Sequence, residues 1–303
     1  MGCDAASEHE RGLKRPRAGA YSTHTVDNEP PRVKWGAGLH VVDGQSVNAS
    51  AYEQYCGRWS RLFVPAVLAA VDVIAGDRVL DVATGPGEAA ALALSRVGSA
   101  GLVVGVDIAP AMLDTARARF AGQRFRAAAM DGQALAFPDG SFDGVICQLG
   151  LMFFPDPARG LAEFRRVLRR GRRAAVCVIS APERAPMWGI LADALSRYLP
   201  DHRDDLHLSF VLADSGRLER MLHAAGFRDV GLTHEKRDAI FESFEDYWKP
   251  IEAGVGSLPQ AYRTLPEAIR HAVRHEVKTA LARFDTDGRL AMSVEMLIAA
   301  GRA

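Results

Sequence analysis

The chain has 303 residues, with 37 Lys and Arg balancing 37 Asp and Glu. That neutrality gives no electrostatic reason for nucleic acid or an anionic membrane to be the main partner, and the length suits one large domain with an insertion or cap. The four cysteines (Cys3, Cys56, Cys147 and Cys177) form no C-x-x-C pair, which leaves a zinc site or dithiol redox motif unsupported and fits a reducing, cytoplasmic setting.

Residues 1–46 mix Gly, Pro, Ser, Thr and both charges without sustained periodicity and read as a disordered or loosely ordered arm. The opening Met-Gly-Cys invites the myristoylation rule, but Ala6 stands where that rule wants Ser or Thr. Lys14-Arg15-Pro16-Arg17 reads as a short solvated basic cluster near Glu8 and Glu10. From Ser46 a helical pattern runs to about Ile74, divided near residues 57–60. Its most apolar stretch, residues 63–75, is too short to cross a membrane and carries Asp72. Strand and helix signals then alternate: strand 78–83, helix 88–97, strand 102–107, helix 110–120, strands 125–130 and 142–148, helix 158–169, strand 173–180. Short apolar strands between helices predict a parallel sheet covered on both faces, hence a doubly wound α/β fold.

After Ser180 the rhythm changes. A helix is expected over 186–198, then a polar stretch (200–208), then a helix over 214–225 stopped by Gly226. Residues 227–233 read as a sixth strand, 241–282 as mostly helical with a break near 254–259, and 290–300 as a last strand. The expected organisation is an arm (1–46) and one domain (47–303) bearing helical cap segments near 184–213 and 241–284.

The strongest local signal is Val79-Leu80-Asp81-Val82-Ala83-Thr84-Gly85-Pro86-Gly87-Glu88, a strand ending in a Gly-x-Gly turn that opens a helix. Such glycines let the backbone turn sharply and a ligand approach closely. Gly85-x-Gly87-x-x-Ala90 also satisfies a relaxed dinucleotide fingerprint, and Asp107 is spaced to hold a ribose hydroxyl, so an NAD(P)-dependent oxidoreductase competes. Against it, Asp81 lies four residues before Gly85 and Glu88 follows the turn, placing negative charge where a pyrophosphate would dock. Met130-Asp131-Gly132-Gln133 adds a third acidic turn, so Asp81, Asp107 and Asp131 gather at the carboxyl edge of the sheet, where ligands of open α/β sheets bind. Taken singly, Asp107 could cap a helix and Asp131 could be a turn residue.

With these motifs the sequence resembles the class I S-adenosylmethionine-dependent methyltransferases, in the branch of ubiquinone and menaquinone C-methyltransferases. Asp81-Val-Ala83-Thr-Gly85-Pro-Gly87 stands for the D-x-G-x-G-x-G motif, with Ala83 at its first glycine. Val104-Gly-Val-Asp107-Ile108-Ala-Pro-Ala-Met112-Leu113 matches the second motif, and 129–143 and 145–156 match the next two. The resemblance implies a Rossmann-like, mostly parallel seven-stranded sheet and S-adenosyl-L-methionine as cofactor. It implies that Asp107 holds the ribose, that Ile108, Met112, Asp131, Gly132 and Gln133 face the adenine, and that Gln148 lies near the methionine end. Asp81, Ala83, Thr84, Gly85 and Gly87 would form the first turn, and Tyr52, Trp59 and Ser60 a closing N-terminal segment. A cofactor-binding relative without catalysis stays open as a third reading.

Transfer of an activated methyl group needs alignment and exclusion of water more than a base. The acceptor expected is a small molecule, neither nucleic acid nor a membrane component, on a monomer or homodimer. Cap candidates to line its pocket are Trp188, His202, His207, Phe210, Tyr247, Trp248 and Tyr262, with His207 the candidate base. No metal is expected: His271 and His275 are four apart, but Arg270, Arg274, Glu276 and Lys278 around them mark a solvated face.

Overall fold

A computed structural model describes residues 56–254 and 256–303; the expected arm 1–46 and Tyr52 lie outside the described residues. Helix α1 (Val64–Val71) stops where Asp72 turns left-handed at φ 56°. The alternation then runs β1 (Arg78–Val82), α2 (Glu88–Val97), β2 (Leu102–Asp107), α3 (Pro110–Arg119), β3 (Phe125–Ala129), β4 (Phe142–Gln148), α4 (Pro157–Val167) and β5 (Leu168–Ile179). Four of the five β1 residues and six of the seven β4 residues are buried, as expected of strands covered on both faces. α5 (Pro186–Tyr198), α6 (Ser215–Ala224), β6 (Arg228–Phe241), α7 (Phe244–Glu252), α8 (Ser257–Thr264), α9 (Glu267–Leu281), β7 (Asp285–Thr286) and β8 (Arg289–Arg302) complete the chain.

The strands lie in the order β3-β2-β1-β4-β5-β8-β6. The first five are mutually parallel, and β8 runs antiparallel between β5 and β6. From β1 the chain winds outward one way through α2 and α3, then the other way through α4. Right-handed crossovers therefore put α2 and α3 on one face and α4 on the other. The direction reverses between β1 and β4, which opens a crevice at their carboxyl ends.

Three differences from expectation have physical causes. An eighth, two-residue strand, β7, pairs back on β8 through the turn at Asp287 and Gly288 (φ 54° and 85°). β6 is 14 residues long because β8 pairs with it from Arg228–Arg302 to Phe241–Leu290. Its second half, His-Glu-Lys-Arg-Asp, carries the charges of an edge strand and lacks the apolar alternation that marks a half-buried one. Finally, α4 ends at Val167 and β5 starts at once, taking residues 168–169 from the expected helix.

Next to that edge sits a buried carboxylate. Glu295 on β8 accepts hydrogen bonds from Ser180 Oγ (2.8 Å), Arg184 Nη1 (2.9 Å) and His234 Nδ1 (3.0 Å). Burial by itself raises its pKa; the bonds from His234, Arg184 and Ser180 outweigh that and hold it at about 2. A carboxylate depressed on folding contributes stability above its unfolded value of 4.5, and that contribution is lost as pH falls toward 2. Glu295→Gln is expected to cost about 2–3 kcal/mol in urea unfolding at pH 7, with the gap to wild type closing in acid.

Candidate functional site

The crevice at the β1–β4 reversal is built from four strand ends. After β1, Ala83 takes φ 56° and Gly85 φ 54°, so the chain folds back over the end of β2. There the Gly85 amide donates to Asp107 Oδ2 (2.9 Å) and the Ala109 amide donates to Asp107 Oδ1 (2.9 Å). One carboxylate thus ties two turns together, and each of its oxygens keeps a lone pair for a ligand. Burial raises the Asp107 pKa, opposed by the amides of Ala109, Gly85 and Ile108. Asp81 lies deeper: it is fully buried, and Thr84 Oγ1 donates to its Oδ2 (2.7 Å). Burial pushes its carboxyl up to about 7; the nearby Asp107 adds to this, and the Thr84 hydroxyl and the Ala90 amide subtract.

Asp131 accepts from the Gln133 amide (2.8 Å) and side chain (3.1 Å), while Gln133 Oε1 accepts from the Asp156 amide (2.7 Å). The turns after β3 and β4 are joined in this way. Gln148 donates through Nε2 to the Ser60 carbonyl (2.6 Å), and its Oε1 is buried with no hydrogen-bond partner among the described residues. Asp81 Oδ1 is likewise buried and unpartnered among them.

These turns enclose one cavity. Of the residues expected at the site, Ala83, Gly85, Asp107, Ile108, Met112, Asp131, Gly132, Gln133 and Gln148 line it. Asp81 and Thr84 are buried behind the lining, and Gly87 (φ 92°) starts α2. A Cβ on Gly87 would meet the Phe120 ring at 2.4 Å. Trp59 sits in the core, its ring centroid 4.6 Å from that of Phe241, and Ser60 reaches the cavity only through the Gln148 bond.

His207 does not line the cavity. Its residue stretch folds back on α5, so Nε2 lies 3.0 Å from Asp193 and Nδ1 2.9 Å from the Arg203 carbonyl. Both nitrogens have partners there, away from the cavity. Trp188, Phe210, Tyr247, Trp248 and Tyr262 are core residues, and none of them lines the cavity; nor does His202, which faces Asp205.

Sequence reasoning gave no role to Leu149, Gly150, Phe153, Phe154 and Pro155, which follow β4, or to Gly256, Ser257 and Gln260 at the start of α8. The first group stood inside the matched motif. The only sign of the second was the Gly-rich break in the C-terminal helical pattern. Close contacts make the glycines selective. A Cβ on Gly150 would lie 2.4 Å from Ala83 Cβ and 3.0 Å from Cys147 Sγ, with the cavity wall between them. Gly150→Ala is expected to cost about 1–3 kcal/mol in thermal or urea unfolding.

Comparison with known proteins agrees with this geometry. A family described as a methyltransferase domain matches residues 79–171. The demethylmenaquinone methyltransferase of Corynebacterium kroppenstedtii is 34% identical over 167 residues, covering 52% of this chain and 70% of that one. The demethylmenaquinone methyltransferase of Clavibacter sepedonicus is 39% identical over 123 residues, covering 40% of this chain and 49% of its own length. The chain therefore spans between about half and 70% of these curated relatives. Among solved structures, the YcgJ protein of Bacillus subtilis superposes with a TM-score of 0.54 at 19% identity, over 81% of this chain and 98% of that one, a likeness of fold.

Proposed function

This chain belongs to the S-adenosylmethionine-dependent methyltransferases, and we propose that it transfers a methyl group from S-adenosyl-L-methionine to a small-molecule acceptor. The observation that carries the reading is Asp107: a carboxylate at the end of β2, fixed by the amides of Gly85 and Ala109, with a free lone pair on each oxygen at the cavity wall. Adjacent ribose hydroxyls suit such a bidentate acceptor.

The rest of the site fits the same ligand. Gly132 is required by packing, since a Cβ there would come within 2.4 Å of the Phe154 ring and 2.8 Å of Val82, and its turn lines the cavity with the apolar Ile108 and Met112, which suit a flat ring. The unpartnered Oε1 of Gln148 at the cavity wall suits the ammonium end of an amino acid, and the Asp81 carboxylate just behind the lining adds negative charge there. The family membership sets aside the NAD(P) reading; Glu88 in the first turn of α2 does not bear on it, because Arg119 (2.8 Å) and Arg61 (3.8 Å) pair its carboxylate. When bound, the sulfonium supplies an already activated methyl group. The protein's own share is to fix the donor, align the acceptor and keep water out, which Leu149, Phe153 and Phe154 serve as apolar wall.

The proposal extends to the domain plan: an arm (1–46) and a catalytic domain (47–303) with helical cap segments 184–213 and 241–284, of which the second borders the cavity through Gly256, Ser257 and Gln260. It includes a monomer or homodimer in the cytoplasm, in line with the free, buried thiols of Cys147 and Cys177. No helix among the described residues is long and apolar enough to cross a membrane. The family relatives act, by name, on demethylmenaquinone, and for this chain an acceptor with an apolar ring is proposed. Incubation with methyl-labelled S-adenosylmethionine and a panel of phenols, quinols, amines and carbon acids is expected to label at least one ring-bearing acceptor. Tight cofactor binding with no transfer to any of them would make the chain a non-catalytic binding relative.

A further inference from the structure

Gln148 brings both an N–H donor and an oxygen acceptor to the cavity wall, and residues outside the cavity decide which of the two meets a ligand. Its Nε2 donates to the Ser60 carbonyl (2.6 Å), which also accepts from the Phe63 amide (3.0 Å). A carbonyl oxygen only accepts, so the reverse orientation of the Gln148 amide would set two oxygens against each other. The Ser60 carbonyl therefore leaves Oε1, buried and without a partner among the described residues, as the group that Gln148 offers.

Ser60 belongs to a single helical turn, Arg58–Ser60, too short to hold its own place and without a side-chain cap at Gly57. Tertiary contacts hold it instead. Trp59 packs on Phe241, and the Arg58 guanidinium lies 4.2 Å from the Trp59 ring centroid and 4.8 Å from that of Phe241. From there its two terminal nitrogens donate to the two oxygens of Asp246 (3.2 and 2.8 Å). Asp246 is fixed in turn at the start of α7: its amide donates to Ser243 Oγ (3.1 Å), and its Oδ2 accepts from the Glu242 amide (3.1 Å). Farther along α7, the Trp248 ring meets that of Tyr262 on α8 edge-on, with centroids 5.2 Å apart, and α8 supplies Ser257 and Gln260 to the cavity. A continuous run of contacts thus joins α8 to Gln148 by way of α7, Asp246, Arg58 and Ser60.

We propose that Arg58 and Asp246 are positioning residues for the methyl donor: their forked pair holds the Ser60 carbonyl against Gln148 and so keeps Oε1 turned to the ammonium group of the donor's amino-acid end. The proposal rests on the methyltransferase reading given above. Neither residue lines the cavity, so both act through Gln148. The position requires arginine. Its planar fork meets both carboxylate oxygens while its face lies on two rings, and the point charge of a lysine does neither.

The test uses the full chain and two ligands with a common adenosine, each titrated calorimetrically: S-adenosylhomocysteine, which carries the ammonium group, and 5′-methylthioadenosine, which has a methyl group in place of the amino-acid chain. Asp246→Asn and, as a second variant should the first not fold, Arg58→Lys are each expected to weaken S-adenosylhomocysteine about three- to tenfold and 5′-methylthioadenosine by less than about twofold. Gln148→Ala is expected to show the same selective loss. Adding Asp246→Asn to Gln148→Ala is expected to cost no further affinity, because the pair acts through an amide that is no longer there. A general loosening of the fold weakens both ligands together, so equal losses would give the pair a structural role alone and overturn the proposal. Unchanged affinity for S-adenosylhomocysteine in the single variants, or losses that add in the double variant, would overturn it as well. Wild type that binds neither ligand would overturn the methyltransferase reading itself, a result separate from these.

Discussion

Asp107→Ala is expected to lower the affinity for S-adenosylhomocysteine by about 10²- to 10³-fold while leaving the protein folded. A hydrogen bond to a charged group is worth about 1.5–3 kcal/mol, and two ribose hydroxyls on one carboxylate would supply about 3–6 kcal/mol, part of which water recovers in the variant. The carboxylate also holds the amides of Gly85 and Ala109, so its removal loosens the two turns that carry the remaining contacts. The packing beneath does not depend on it: Val104 and Val106 on β2 and Leu113 on α3 remain buried. Calorimetric affinity and the unliganded melting temperature together check this. A variant that melts like wild type but binds like wild type would remove Asp107 from the site.

Asp81 gives the second large effect, on stability and its pH dependence. Burial pushes its folded-state pKa from the ordinary 3.8 to about 7. Between these values the folded protein holds a proton that the unfolded chain has released. Stability of the unliganded protein therefore falls as pH rises from about 4 to about 7 and levels off above. The full shift corresponds to a loss on the order of 4 kcal/mol. Asp81→Asn keeps the shape and still accepts from Thr84, but cannot ionise. Its urea-unfolding free energy is expected to lack this decline and to exceed that of wild type at pH 8. Its cofactor affinity at pH 8 is expected to be lower, because the charge that suits an ammonium is gone. If the pH dependence of the Asn variant parallels that of wild type, Asp81 is not the buried titrating group.

The cofactor side of the site was legible in the sequence because it is local. Asp81, Gly85, Asp107 and Asp131 each end a strand with a clear apolar run, and the strand order of a doubly wound sheet brings those ends to one edge. The far wall was not legible. Ser257 and Gln260 reach the cavity only because α7, α8 and α9 are inserted between β6 and β8 and fold back over the crevice, and no local pattern encodes such a return. For the same reason the sequence does not separate pocket from core among the cap aromatics. Tyr247 and Trp248 are chemically suited to a pocket, yet they pack beneath α8, Tyr247 donating to the Met187 carbonyl at 2.8 Å. His207 sits away from the cavity beside a distant partner, Asp193, fourteen residues earlier on α5. Charge patterning likewise hid the second half of β6, whose edge position requires the polar residues that made it look unlike a strand.

The most direct test of the account is a calorimetric titration of the purified chain with S-adenosylhomocysteine, beside an NAD control. The account predicts one-to-one binding in the micromolar range or tighter and no heat with NAD. No response to S-adenosylhomocysteine, or a clear one to NAD, would contradict it.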